Sequence, residues 1–63
     1  MTQTYTVVVG EVGNEVGHVV STTTSLHGAR VIAGRELKAY GGDGWAVIRG
    51  DCGYEERRGR LTL

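Results

Sequence analysis

From Ser25 to Tyr40 the residues Leu26, Ala29, Ala33, Leu37 and Tyr40 recur at i, i+3, i+7, i+11 and i+14, one stripe down a helix. Ile32 flanks that stripe and Glu36 interrupts its edge, while His27, Arg30, Arg35 and Lys38 lie on the opposite side with Val31 exposed among them. A side-chain oxygen at Thr24 or Ser25 can accept from an orphan N–H of the first turn. Gly41-Gly42 can take the left-handed conformation that ends a helix. The spacing predicts an amphipathic helix over 25–40.

The remaining segments alternate as strands do. Thr4 to Val9 is rich in β-branched residues and reads as a strand. VVVGEVGNEVGHVV is nearly symmetric about Gly13-Asn14, which predicts a hairpin closed by a two-residue turn with glycine first. That register sets Val12 opposite Glu15, Val8 opposite Val19 and Val7 opposite Val20, with Gly10 facing Gly17; a loop over 10–17 is the competing reading. After the helix, Gly41 to Gly44 is a turn, Trp45 to Arg49 a third strand, and 50–53 a tight connection. Tyr54 to Leu63 reads as an edge strand whose charges discourage sheet-to-sheet aggregation.

The order is therefore β-β-α-β-β in a single domain over 1–63. The expected fold is a small α+β two-layer sandwich, one amphipathic helix packed on an antiparallel sheet. Strand order stays open. With 63 residues and no Phe, the core is small, and Trp45 is expected to lie in it against the helix because little else has that size; the alternative is that Trp45 and Tyr5 face outward as interface anchors. A chain this short buries only about 60% of its unfolded surface. Cys52 is the sole cysteine, so no internal disulfide helps, and a homodimer or a partner surface is the remaining device.

Charge narrows the function classes. The net charge is zero, but residues 1–29 hold two acids, Glu11 and Glu15, and no Lys or Arg, whereas 30–63 hold seven bases against five acids. This balance disfavours both a general nucleic-acid binder and an acidic DNA mimic. The N-terminal MTQTYTVVVG lacks a basic n-region and a long apolar stretch, and no apolar run approaches the ~20 residues that span a bilayer, so the reading is cytoplasmic with no membrane association.

Candidate chemistry is sparse. GEVGNEVG lacks the Lys-Ser/Thr end of a phosphate loop, and GGDGWAVIRG leads into a strand instead of a helix, so turn chemistry accounts for the glycines. His18, His27, Asp51 and Cys52 match no metal-ligand spacing, and Asp51 beside Cys52 raises the thiol pKa. No nucleophile, base and orienter stand together in sequence, so no enzyme, cofactor or metal is expected. Ser21 to Ser25 is explained by capping. The basic helix face is more informative, because Arg30, Arg35 and Lys38 have few acids nearby in sequence and can reach a partner's phosphates or carboxylates. Tyr54, Arg57 and Arg58 add the residue types that dominate binding hot spots. The candidate partner-binding residues are Arg30, Arg35, Lys38, Tyr54, Arg57 and Arg58.

A short strand, YTVVVGEV, then a Thr/Ser-led, Ala-rich helix, TSLHGARVIAGRELKAY, then further strands: this layout resembles several very small phage-encoded anti-CRISPR proteins. The resemblance covers most of the chain and is one of architecture; the group shares no motif, so no residue role carries over. It implies a non-catalytic inhibitor of a bacterial CRISPR effector complex, acting in the host cytoplasm by stoichiometric binding to a protein or ribonucleoprotein partner. The near-zero charge departs from strongly acidic members, so occupying a protein surface fits better than DNA mimicry. The alternative is a small nucleic-acid-binding or regulatory module using the same basic helix face.

Overall fold

Two antiparallel hairpins meet through their first strands to make one sheet, and the helix between them crosses one side of it. A computed structural model describes residues 3–14, 16–51 and 53–59. The elements are β1 (Tyr5–Glu11), β2 (His18–Thr23), α1 (Leu26–Ala39), β3 (Gly44–Gly50) and β4 (Glu55–Gly59), in the order the sequence predicts. The sheet runs β2-β1-β3-β4, every neighbouring pair antiparallel. Of the final predicted strand, 55–59 is observed; Leu61 and Leu63 lie outside the described residues, as does Cys52.

The α1 limits follow from its ends. Ser25 is the N-cap, its Oγ accepting from the Gly28 N–H at 3.1 Å. Beyond the C-cap Tyr40, Gly41 and Gly42 take φ of +62° and +96°, a conformation that only glycine adopts cheaply. The inward stripe is as expected: Ala29 and Ala33 are fully buried, with Leu26, Ile32, Leu37 and Tyr40 packed around them. Against them lie Val7 and Val9 of β1 and Ala46 and Ile48 of β3, also fully buried. Three of these six are alanines, so the helix backbone sits close to the sheet and the core is thin.

The first hairpin forms, with two departures from the predicted register. Val8 does pair with Val19, but Val7 pairs with Ser21, so Val20 is the extra residue of a β-bulge. The turn is not two residues at Gly13-Asn14. Asn14 N–H donates to the Glu11 carbonyl across Val12-Gly13, with Gly13 at φ +98°, and Asn14 Oδ1 then accepts from the N–H groups of Val16 and Gly17. An Asx side chain that gathers two backbone donors makes the longer loop the better-satisfied one. Glu15 lies outside the described residues, so its expected pairing with Val12 does too.

Trp45 overturns its expected place. Side chains alternate across a strand, and since Ala46 and Ile48 face α1, Trp45, Val47 and Arg49 face the other way. Paired with Gly10, the indole lies over two glycines: a Cβ on Gly10 would sit 2.6 Å from Trp45 Cζ2, and one on Gly17 would sit 2.5 Å from Cη2. Trp45 Nε1 donates to the carbonyls of Glu11 at 3.0 Å and Asn14 at 2.9 Å. A core lined by alanines has no room for an indole, whereas the side-chain-free hairpin base does.

Candidate partner-binding face

Strand alternation decides what each β4 residue can reach. Glu56 and Arg58 pair with Ile48 and Ala46, whose side chains face α1, while Glu55 and Arg57 pair with Arg49 and Val47 on the far face. Glu56 is consequently turned toward the helix and meets Arg30 there. Arg30 Nε lies 3.2 and 3.1 Å from the two carboxylate oxygens, and Nη2 lies 2.8 Å from Oε1. Tyr54 Oη donates to the same Oε1 at 2.6 Å, and Arg58 Nε donates to Oε2 at 2.9 Å. One carboxylate thus takes donors from three side chains, two of them cationic.

The charges respond as expected. Hydrogen bonds from Arg30 first, then Tyr54 and Arg58, pull the Glu56 carboxyl down to about 2. The Tyr54 hydroxyl is raised, chiefly because it donates to that carboxylate and would lose the bond on ionising. Tyr54 is also held by Tyr5, whose ring meets it edge-on at 5.9 Å and 86°. On the far face Glu55 accepts from Arg57 at 3.1 Å and pairs with Arg49 at 3.5 Å.

The six candidate residues therefore fall into two groups. Arg30, Tyr54 and Arg58 are drawn together around Glu56, and Arg57 is paired to Glu55; these are engaged within the protein. The expectation that Arg30 lacks an opposing charge is corrected: its partner lies 26 residues away in sequence and directly across in space. Arg35 and Lys38 differ, being exposed bases with no ion pair among the described residues. With His27 and Val31 they form an outward stripe at i, i+4, i+8 and i+11 of α1, and Val31 is 43% exposed.

Glu56 is the residue that sequence reasoning missed. Its signal was available in the strand period, since Tyr54, Glu56 and Arg58 share one face and Glu55 and Arg57 the other. Only the topology, with β4 on the edge beyond β3, tells which face meets the helix.

Among the described residues no three His, Cys, Asp or Glu side chains gather as metal ligands, and no helix is long and apolar enough to cross a membrane. Comparison with family models, with curated proteins and with solved structures finds no match to this chain.

Proposed function

We propose that the chain is a non-catalytic binding protein that docks the outward stripe of α1 on an acidic protein surface. The observation that carries this reading is the contrast between bases. Arg30, Arg49, Arg57 and Arg58 each have a carboxylate, whereas Arg35 and Lys38, one turn apart beside exposed Val31, have none among the described residues. Two cations in line on the C-terminal side of an apolar side chain, all on one helix face, suit a partner that presents carboxylates beside an apolar patch. In its specific form, taken from the resemblance to small phage anti-CRISPR proteins, the partner is a bacterial CRISPR effector complex and binding inhibits it stoichiometrically.

The test is titration of the chain into purified CRISPR effector complexes, following target cleavage and binding heat. Inhibition saturating at a fixed molar ratio, weakened at least tenfold by the double variant Arg35→Ala/Lys38→Ala with an unchanged melting curve, supports the reading. Full affinity in that variant removes the helix stripe from the interface. Salt separates protein docking from binding to nucleic acid. A protein making six to ten phosphate contacts loses roughly 10³–10⁵ in affinity between 50 and 200 mM salt, and two unpaired cations predict a far shallower slope.

A further inference from the structure

The two edges of the sheet are finished differently. β4 carries Glu55, Glu56, Arg57 and Arg58 in five residues, the usual guard against pairing with another chain. β2, at the opposite edge, reads HVVSTT and has no Asp, Glu, Lys or Arg. Of the four large apolar residues exposed among the described residues, three belong to the first hairpin: Val12, Val16 and Val19 are 47%, 82% and 60% exposed. A six-residue edge with no charged side chain, interrupted only by the bulge at Val20, next to uncovered valines offers a surface to a further strand.

We infer that β2 pairs antiparallel with β2 of a second copy, continuing the sheet across a two-fold axis to eight strands. Self-pairing is favoured by three features. The strand lacks acidic and basic side chains, so no like charges are brought together. One register, with His18 opposite Thr23 of the second copy, Val19 opposite Thr22 and Val20 opposite Ser21, also keeps every side chain on its proper face. Val19 and Thr22 pair with Val8 and Thr6 on the side away from α1, whereas His18, Ser21 and Thr23 pair with Val9, Val7 and Tyr5 on the helix side. Val20 packs on the core, so the bulge holds it and Ser21 on the same side and the match survives. Finally, Ile48, Val7 and Val9 are the largest fully buried side chains among the described residues, and so small a core gains from added contacts along its edge. The interface is isologous, each Val19 meeting the other copy's Thr22.

Sedimentation equilibrium from about 1 µM to 1 mM tests this, and the mass is expected to rise from 6.8 kDa to twice that. Val19→Lys/Thr22→Lys places two lysines opposite each other on both sides of the axis and should weaken association at least tenfold. Val19→Glu/Thr22→Lys makes the same positions attractive in the dimer and should restore it. A mixed sample of labelled and unlabelled wild-type chain should show isotope-filtered contacts between residue 19 of one copy and residue 22 of the other, a readout independent of variant folding. A monomer throughout that range, a dimer indifferent to the lysine pair, or a dimer without the 19-to-22 contacts would overturn the proposal.

Discussion

Arg30 of the helix and Glu56 of the edge strand form a forked ion pair, with Nη2 2.8 Å from Oε1 and Nε within 3.2 Å of both carboxylate oxygens. Together with Leu37, whose Cδ2 would lie 2.8 Å from a Cβ on Gly59, it links α1 to β4. The strand otherwise depends on β3. Replacing Glu56 with Gln should therefore loosen β4 locally. Amide exchange over 55–59 is expected to quicken while the amides of β1 and β3 keep their protection.

Acid should act through the same carboxylate. Glu56 lies at about 2 in the folded chain against 4.5 for an ordinary Glu. A lowered folded value means that its contribution is complete above the unfolded value and disappears as pH falls through the folded one. Urea midpoints measured between pH 5 and pH 2 should fall toward acid, and Glu56→Gln should flatten that decline. At the alkaline end the raised Tyr54 hydroxyl works in the opposite sense, since its share persists below the ordinary tyrosine value of 10.0 and is lost as pH climbs past it.

Two glycine substitutions should move stability in opposite directions. Gly34 is inside α1, and a Cβ there meets nothing within 4 Å. Gly34→Ala is expected to stabilise by about 0.5–1 kcal/mol, the helix-propensity difference. Gly10→Ala drives a methyl to 2.6 Å from Trp45 Cζ2, and should cost about 1–3 kcal/mol as overpacking does. It should also speed exchange of the indole N–H, which is held by two carbonyls. Chemical denaturation and proton exchange check both.

The thin core should be sensitive to single methyl groups. Ile48 is the largest fully buried side chain among the described residues, and Ile48→Val is expected to cost about 0.5–1.5 kcal/mol. Val31→Ala, on the exposed stripe, should stay within about 0.5 kcal/mol of wild type. A Val31→Ala cost as large as that of Ile48→Val in denaturant melts would mean that Val31 is packed, contrary to its exposure.

The helix was legible because each signal is local. The stripe, the Ser25 cap and the two terminal glycines all act within a few residues of one another, and all three are seen. The element order followed from similarly local alternation. Trp45 was misplaced because Trp-Ala-Val-Ile is apolar throughout, so a strand period of two has no phase to read, and size alone suggested burial. The Arg30 partner was invisible for a different reason, since a pair 26 residues apart depends on which strand lies on the edge. At the first hairpin the apparent symmetry of the sequence concealed the bulge at Val20, which only cross-strand packing reveals.

The seat of Trp45 on Gly10 and Gly17 gives the chain a built-in optical gauge. It is the sole tryptophan in the sequence, and its ring rests on the hairpin base, away from the helix. Its fluorescence therefore samples one corner of the molecule. A ligand settling on the outer side of α1 should leave the emission colour unchanged, whereas prising the hairpin loop from the sheet should redden it well before the far-ultraviolet signal of the helix is lost.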